Sequence, residues 1–384
     1  MLPALLFSLL FVLPAWWLRQ TGRPRWAFLP LLIGLVLLVF TCAVQFNIIN
    51  RTQATFDTDL LLRFLPDETL FANGDLSNPD RALFLASAAS TAIFKAYERG
   101  YPAAGKVDSV LAFLAERVTD RRSYPAWRRQ RNWDREVFFL AHAGAVLAHY
   151  ELVTGDGDTH GSDLRAIGDH LGRRLQRGRY KHLISRPTEE FFRPADNAAA
   201  LYALSLYERI AASEQFAPSF RDWTTYLSNE LYYAESRLPC AAFSVTDRCQ
   251  LEPSATATGL YIAYRAAAAP GLSDPIPWRE WTHYFRRFSL SPFSVDVRHN
   301  MRAGEPTRYC DQGTEPLECR RFERSVGLWA AAEYDGDYTF FRLYAPVVLN
   351  RWLSEPADPT TMGSEQRVNY LTRLAIRAAA GWEI

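Results

Sequence analysis

The sequence predicts an all-α protein, in which an (α/α)6 toroid or barrel follows two N-terminal transmembrane helices. From residue 79 onward, helices rich in small apolar residues alternate with charged, amphipathic helices, and the first kind recurs every 45 to 65 residues or so. Long irregular loops precede these small-residue helices. Two apolar segments open the chain. The predicted divisions are therefore a transmembrane hairpin at 1–50, a connector at 51–79 and an α/α-barrel domain at 80–384.

The two N-terminal segments predict a membrane anchor. Met1–Leu18 and Ala27–Ile49 are apolar, and the second is long enough to cross a bilayer. Arg19, Arg23 and Arg25 lie between them, and short basic loops stay in the cytoplasm. We therefore expect an inner-membrane protein with its globular domain on the periplasmic side. A cleaved signal peptide fits less well, because the first segment has no basic start.

Six small-residue helices are predicted to form an inner ring, since such helices can be buried on most sides. They are Arg81–Glu98, Asp134–Thr154, Asp196–Ala212, Ser254–Ala268, Glu323–Glu333 and Arg367–Ala380. The charged helices fit an outer layer with one solvated face. They are Lys106–Thr119, Ser162–Gln176, Pro218–Tyr233, Trp278–Phe288 and Tyr338–Leu353. A short helix at Thr58–Phe64 could supply the missing outer partner.

The arrangement of the loops favours a toroid over a linear solenoid. A solenoid uses shorter and more uniform repeats. Here the long loops all lead into inner helices, so they fall at one end of the barrel, which we call the mouth. Long connections gathered on one face are where function usually lies. We therefore expect the functional residues at the mouth.

Composition and motifs exclude several classes of function. The 384 residues carry a formal net charge of +1, which gives no basic face for nucleic acid. The sequence contains no P-loop, GxSxG, GxGxxG or HExxH motif, which argues against NTPases, common hydrolases, dinucleotide enzymes and zincins. Aromatic residues make up 14% of the chain, which suits a sugar-binding cleft, an apolar pocket or an ordinary core.

Four cysteines form two local pairs. Eight residues separate Cys240 from Cys249, and eight separate Cys310 from Cys319. No CxxC motif and no neighbouring histidine completes a zinc site, so we expect no metal. Two disulfides would require an oxidising compartment, which agrees with the topology predicted from the basic loop. The alternative is four reduced thiols in a cytosolic domain.

Polar and aromatic residues gather where the predicted inner helices begin. Acids and hydroxyl residues are also favoured there as helix caps, which accounts for part of the pattern. Capping does not account for acids paired with arginines. The predicted substrate-binding residues are Trp133, Asp134, Arg135, Phe191, Phe192, Asn197, Glu323 and Arg324.

The segment EEFFRPADN holds three carboxylates, Glu189, Glu190 and Asp196, within eight residues. Two carboxylates could cleave a glycosidic bond by general acid/base catalysis. They could equally protonate a hydroxyl and remove a carbon-bound hydrogen, as in a hydro-lyase. The intervening phenylalanines could raise a carboxyl pKa by desolvation. A solvated loop is the alternative for any one of them.

His142 lies inside an apolar helix, where small neighbours leave room around it. A lone histidine in such a helix is more often a satisfied core residue than a catalyst. The segment AHAGAVLAHYELVTG, which contains His142, also resembles part of a known enzyme family.

That family is linalool dehydratase/isomerase, and the segment resembles the one that carries its active-site histidine. DNAAALYALSLYERI and SVGLWAAAEYDGD resemble two of the family's later helices, in the same order. The resemblance implies an (α/α)6 barrel, often a homo-oligomer, with an apolar pocket for an isoprenoid alcohol. His142 matches the active-site histidine. The two cysteines essential to the family align with Pro187 and Asp196, so the chemistry is expected to differ.

The sequence as a whole favours a membrane-anchored lyase or isomerase that uses no cofactor. It would hydrate, dehydrate or isomerise a small apolar or amphiphilic alcohol by proton transfer. Asp196 and one of Glu189 and Glu190 would be the acid and the base, and His142 would orient the substrate hydroxyl. One alternative is a carbohydrate-active toroid, hydrolase or lyase, that acts on an envelope glycan. Another is a non-catalytic subunit of an envelope assembly.

Overall fold

The chain is predominantly helical. A computed structural model describes residues 9–45, 48–71, 79–101, 103–176, 182–213, 215–270, 275–287, 295–301, 316–334, 339–340, 342–344 and 359–383. Within these residues the all-α prediction is confirmed. The main α-helices, in chain order, are α1 (Val12–Gln20), α2 (Pro24–Gln45), α3 (Ile48–Phe64), α4 (Pro79–Glu98), α5 (Ala104–Thr119), α6 (Val137–Thr154), α7 (Gly161–Gln176), α8 (Pro194–Ala211), α9 (Ala217–Glu230), α10 (Ala255–Ala268), α11 (Pro275–Phe285), α12 (Pro316–Glu333) and α13 (Ser364–Glu383).

Six small-residue helices pack in a closed cycle. α4 packs against α6, α6 against α8, α8 against α10, α10 against α12, α12 against α13, and α13 returns to α4. α4 and α13 run in the same direction. Arg81 pairs with Glu365 near their first turns, and Lys95 pairs with Glu383 near their last turns. The end of the cycle at which these helices begin is the mouth, and we call the opposite end the base.

The amphipathic helices pack against this cycle. α5 contacts α4 and α6, α7 contacts α6 and α8, α9 packs on α7, and α11 packs on α10. α3 packs on α13 and α4. The short helix expected at Thr58–Phe64 is therefore longer than predicted and begins at Ile48. The predicted outer helix Tyr338–Leu353 lies mostly outside the described residues.

Small residues allow the helices of the cycle to approach closely. A Cβ atom added at Gly144 of α6 would lie 3.3 Å from the Cβ of Ala203 on α8. A Cβ added at Gly259 of α10 would lie 2.6 Å from the Val326 side chain on α12. Because protein interiors are close-packed, no larger side chain fits at such contacts without displacing its neighbour. This explains the alanine- and glycine-rich composition of these helices.

The two N-terminal helices expose apolar side chains rather than burying them. α1 and α2 pack against each other, and Gly22 in the turn between them adopts a left-handed conformation with φ of +76°. The exposed apolar side chains on these helices include Leu13, Trp16, Trp17, Trp26, Phe28, Leu29, Leu31, Leu32, Ile33, Leu35, Val36 and Val39. Large exposed apolar patches on a protein mark a surface that is covered by a partner or a membrane.

Length and composition alone single out another helix as a candidate membrane span. Among the described residues, α6 is long and apolar enough, but most of its span is buried inside the protein, as in the core helix of a soluble domain. The apolar stretch Pro24–Phe40 of α2 is shorter. The predicted first span, Met1–Leu18, begins outside the described residues. The two predicted spans and their topology therefore stay predictions.

A small antiparallel sheet lies among the loops at the mouth, where the prediction had only loops. Strand β1 (Phe191–Phe192) pairs with β2 (Ala242–Ser244), and β2 pairs with β3 (Cys249–Leu251). β1 leads directly into α8. The sheet therefore joins the loop before α8 to the loop before α10.

The β2–β3 hairpin is closed by a disulfide between Cys240 and Cys249, whose Cα atoms lie 5.8 Å apart. This predicted pair is confirmed. Cys240 is buried and Cys249 is exposed. The other predicted pair, Cys310 and Cys319, lies outside the described side chains.

Two helix starts differ from the prediction, and both change the surroundings of predicted site residues. Residues 130–135 form a 3-10 helix, so α6 begins at Val137 and Asp134 is not its N-cap. α12 begins at Pro316, so Glu323 lies about two turns inside that helix rather than at its start. The sequence predicted both residues at the start of an inner helix, and that prediction is wrong for both.

Replacing Gly327 with alanine should destabilise the protein, although alanine favours helix formation. A Cβ atom there would lie 2.5 Å from the ring of Trp281, which is fully buried and donates a hydrogen bond to the Ala255 carbonyl. We expect a loss of about 1–3 kcal/mol in the free energy of unfolding, measured with denaturant. Gly105→Ala is the matched control, because no atom lies within 4 Å of its added Cβ. Equal effects of the two substitutions would contradict the close packing of α11 on α12.

Candidate functional site

A cavity of about 420 Å³ lies at the mouth, between the beginnings of α4, α6, α8 and α10. Its wall combines aromatic and aliphatic side chains with three arginines and three carboxylates. The residues that line it are Asp80, Arg81, Phe84, Phe138, His142, Arg186, Glu189, Arg193, Ala195, Asp196, Ala241, Thr256, Ala257, Leu260, Tyr264 and Phe322. The cavity is therefore at the end where the long loops meet.

Backbone hydrogen bonds hold the loop before α8 against the start of α6. The first amide groups of a helix have no partner within the helix. Here the Val137 amide donates to the Ile184 carbonyl at 3.1 Å, and the Phe138 amide donates to the Ser185 carbonyl at 3.2 Å. These bonds satisfy the helix start and fix the loop residue that follows, Arg186, at the cavity.

His142 lies in the cavity wall as a neutral imidazole. Its Nδ1 atom is 3.0 Å from the Ser87 hydroxyl on α4, and the rings of Phe84 and Phe138 meet it edge to face at 5.2 and 4.5 Å. Burial, with a smaller contribution from the Arg186 charge, lowers the pKa of His142 to about 3. At neutral pH it can accept or donate a hydrogen bond without carrying charge.

Asp196 is a buried carboxyl in the first turn of α8. Its Oδ2 atom is buried and has no hydrogen-bond partner among the described residues. Burial raises the pKa of Asp196, while Arg186, Arg193 and the Ser185 hydroxyl oppose that rise. Because an unpaired polar atom is costly to bury, this oxygen is available to a bound molecule.

Two hydroxyls from α10 complete the polar part of the cavity. Thr256 Oγ1 and the Tyr264 hydroxyl are buried, and neither makes a hydrogen bond of ordinary geometry among the described residues. Burial raises the pKa of Tyr264, which the nearby Ser87 hydroxyl opposes and Asp196 reinforces. The phenol is therefore neutral, like His142, and can donate its proton in a hydrogen bond.

Charged side chains at the cavity pair with one another. Arg186 Nε lies 2.5 Å from Asp80 Oδ2, and Arg186 Nη1 lies 3.5 Å from Glu189 Oε1. Arg193 Nη2 lies 3.0 Å from the same Glu189 oxygen. The Arg186 guanidinium also lies over the Phe138 ring, 4.4 Å from its centre. These pairs leave little unbalanced charge for a ligand.

The structure brings three of the four predicted catalytic residues to one cavity. His142, Asp196 and Glu189 all line it, although they come from α6, α8 and the loop before α8. Glu190 is exposed and does not line the cavity. The two adjacent glutamates therefore differ in their surroundings, since Glu189 is half-buried and paired with arginines and Glu190 is exposed.

The predicted binding residues before α6 face other parts of the protein. Trp133 is buried and donates its indole proton to the Ala126 carbonyl. Asp134 pairs with His170 at 3.1 Å on α7, and Arg135 donates to the Glu189 carbonyl at 2.9 Å. None of these three side chains lines the cavity.

The remaining predicted binding residues also lie outside the cavity lining. Phe192 stacks on His182 with ring centres 3.7 Å apart, and Phe191 lies under the Arg193 guanidinium. Asn197 holds the loop before α8 through two hydrogen bonds with the Leu183 backbone.

Glu323 and Arg324 on α12 are likewise engaged elsewhere. Glu323 is fully buried and its Oε1 lies 2.5 Å from His299 Nδ1, while Arg324 pairs with Asp296 at 3.0 Å. Both therefore bind the loop between α11 and α12, because α12 begins earlier than the sequence suggested.

Sequence reasoning passed over Arg186 and Tyr264, which line the cavity, and Ser87, whose hydroxyl contacts His142 behind the cavity wall. It placed Thr256 at the mouth without giving it a role. Thr256 and Tyr264 are eight residues apart, which places them on one face of α10 about two turns apart. That spacing was a usable signal. Ser87 lies among small residues that are typical of helix packing. Arg186 lies in a loop that packs on the start of α6, and no sequence pattern predicts this contact.

The arrangement can bind and protonate a neutral oxygen function. A carboxyl with a raised pKa, a phenol and a neutral imidazole supply hydrogen-bond donors and acceptors in an aromatic surrounding. Among the described residues, no group of three or more histidine, cysteine or acidic side chains is placed to hold a metal ion.

No family model matches the chain, and no curated protein matches it. The resemblance to linalool dehydratase/isomerase therefore stays a prediction from the sequence.

Asp196→Asn should stabilise the protein at neutral pH. The pKa of Asp196 is higher in the folded protein than its ordinary value of 3.8, so the unfolded chain loses the proton first as the pH rises. Above the ordinary pKa of 3.8, the Asp196 carboxyl therefore lowers the free energy of unfolding, and an asparagine at this position removes that loss. We expect the melting temperature of the variant to be a few degrees above that of the original protein at pH 7. Near pH 3 the two melting temperatures should be equal.

The exposed Asp108 on α5 provides the control. Asp108→Asn should leave the pH dependence of the melting temperature unchanged. An Asp196→Asn protein that melts lower than the original at pH 7 would mean that Asp196 is a stabilising ionised group.

Proposed function

We propose that this chain is an acid/base enzyme, a lyase or isomerase that dehydrates, hydrates or isomerises a compact alcohol with an apolar body. Its frame would be an (α/α)6 toroid. The closed packing of α4, α6, α8, α10, α12 and α13, with other helices against it, supports that architecture.

The observation that carries the proposal is the environment of Asp196. Its Oδ2 atom is buried, unpartnered and at the cavity, and burial raises its pKa. An acid with a raised pKa holds its proton closer to neutral pH, which is the requirement for a general acid. His142 and Tyr264, both neutral, flank the same space.

In the dehydration direction, Asp196 donates its proton to the substrate hydroxyl, and the carbon–oxygen bond breaks to release water. A base removes a proton from the adjacent carbon, and that carbon–hydrogen pair of electrons forms the double bond. Glu189, whose Oε1 atom contacts Arg186 and Arg193, would be this base. His142 and Tyr264 orient the hydroxyl. Hydration runs the same steps in reverse.

The sequence resemblance agrees with this chemistry in part. His142 aligns with the active-site histidine of the linalool dehydratase/isomerase family. Asp196 stands where that family has an essential cysteine, and both side chains can transfer a proton. A carboxyl in that place favours a substrate related to, but different from, the family's isoprenoid alcohol.

The α1–α2 hairpin would anchor the enzyme in a membrane. α2 is 22 residues long, or about 33 Å, and a bilayer core is about 30 Å thick. Its exposed apolar side chains would lie in lipid. The basic turn would stay in the cytoplasm, which leaves the cavity on the oxidising side, where the Cys240–Cys249 disulfide is stable.

The test is turnover of an alcohol panel by the full chain, with alkene products measured by gas chromatography. Terpene and aliphatic alcohols of several sizes should be included. For any alcohol that reacts, Asp196→Asn should lower kcat by about 10²-fold or more, since proton transfer contributes that much. Asp108→Asn, on the exposed face of α5, is the control.

An Asp196→Asn enzyme with full activity would refute the assignment. Cleavage of envelope oligosaccharides, with no alcohol turned over, would favour the carbohydrate-active alternative. Intact function in cells of a His142→Ala, Asp196→Ala double variant would favour the non-catalytic one.

A further inference from the structure

The direction of α3 fixes which end of the protein carries the N-terminal hairpin. Asn50, in the first turn of α3, accepts a hydrogen bond at its carbonyl from Tyr344 and lies against Gly381, near the end of α13. Asp67, just beyond the last turn of α3, pairs at 2.8 Å with Arg367, near the start of α13. α3 therefore runs from the base to the mouth, antiparallel to α13.

The hairpin consequently leaves the protein at the base. α2 ends at Gln45 and α3 begins at Ile48, so the apolar helix joins the body within a few residues of that end. α4 has 20 residues and runs the height of the cycle, so the two ends lie about 30 Å apart. The cavity is at the other end.

The base is closed by a buried ion cluster. Lys95 Nζ lies 2.5 Å from Glu333 Oε1 and 2.6 Å from Glu383 Oε2, at the last turns of α4, α12 and α13. Trp329 Nε1 also donates to Glu333 at 2.7 Å. Lys95 and Glu333 are almost fully buried. Opening a path here would leave buried charges unpaired, which is strongly unfavourable.

Further side chains fill the axis between this cluster and the cavity. His149 contacts the Ser90 hydroxyl at 3.0 Å and the Tyr202 hydroxyl at 3.0 Å, and all three are buried. Phe94 stacks on His149 with ring centres 4.8 Å apart. The centre of the cycle is therefore packed rather than hollow between the base and the cavity.

We infer that the cavity opens away from the membrane and takes its ligand, a compact neutral alcohol soluble in water, from the aqueous phase. This inference rests on the proposed anchoring by the hairpin and on the proposed hydroxyl site. A long-chain lipid alcohol held in the bilayer would lie at the closed end, about one helix length from Asp196 in the first turn of α8.

The orientation can be measured by energy transfer to lipid in nanodiscs that hold the full chain. Tyr97, near the end of α4, and Tyr232, just after α9, are both exposed aromatic residues, at the base and the mouth respectively. Each is replaced in turn by p-azidophenylalanine and coupled to a donor dye, and the nanodiscs carry lipid with an acceptor on its headgroup.

We expect severalfold stronger transfer from position 97 than from position 232. Equal transfer, or stronger transfer from position 232, would overturn the inference. A chain that does not associate with nanodiscs would overturn the anchoring and the inference together. Unlabelled lipid provides the baseline for both dyes.

The ligand class is tested with two probes that share a hydroxyl and differ in water solubility, 1-hexanol and 1-hexadecanol. Saturation-transfer NMR on the same nanodiscs, with empty nanodiscs subtracted, should show contact with 1-hexanol and not with 1-hexadecanol. Tyr264→Phe should weaken the 1-hexanol signal severalfold, because it removes one hydroxyl of the site.

Contact with 1-hexadecanol as strong as with 1-hexanol would refute delivery from water. Contact with neither probe would refute the alcohol as ligand, even if the energy transfer places the mouth away from lipid. Failure of the proposed reaction is a separate outcome, since it appears as unchanged turnover in Asp196→Asn rather than in either of these measurements.

Discussion

The packing of α13 on α4 is the contact on which the rest of the structure depends. It joins the last helix of the cycle to the first, and so turns a row of helices into a ring with an inside. Ion pairs mark both ends of this contact, Arg81 with Glu365 at the mouth and Lys95 with Glu383 at the base. Without this closure, the inward side chains of six helices would face water, and no enclosed space would form at their first turns.

Enclosure gives the cavity its chemistry. Removing water raises the pKa of Asp196 and lowers that of His142 by one physical effect, the cost of burying charge. Burial thus disfavours the charged form of both groups, while Arg186 and Arg193 are balanced by Asp80 and Glu189 at the side of the cavity. The site thus places a neutral imidazole and a phenol with Asp196, whose charge burial disfavours, beside paired charges. This arrangement suits an uncharged ligand.

The sequence predicted the inner helices well, because small residues at helical spacing report close packing directly. The prediction of site residues was weaker wherever it depended on the residue at which a helix begins. A 3-10 helix displaced Asp134 from the start of α6, and an early start buried Glu323 inside α12. It singled out Asp196 and His142 by their unusual settings. It passed over Tyr264, because a tyrosine in an apolar helix looks like core until its hydroxyl is seen without a partner.

The disulfide in the β2–β3 hairpin makes the cavity wall depend on the oxidation state of the chain. Ala241, next to Cys240, forms part of the cavity wall, and β2 holds β1, which leads into α8 and Asp196. A cross-link of this kind restricts the unfolded chain and so favours the ordered loop. Because Cys249 is exposed, thiols in the surroundings can reach the bond. In reducing conditions the Cys240–Cys249 bond would be absent, and the loop that carries Ala241 would no longer be cross-linked at the cavity. The cavity wall would then reach its final form only after the two cysteines are oxidised.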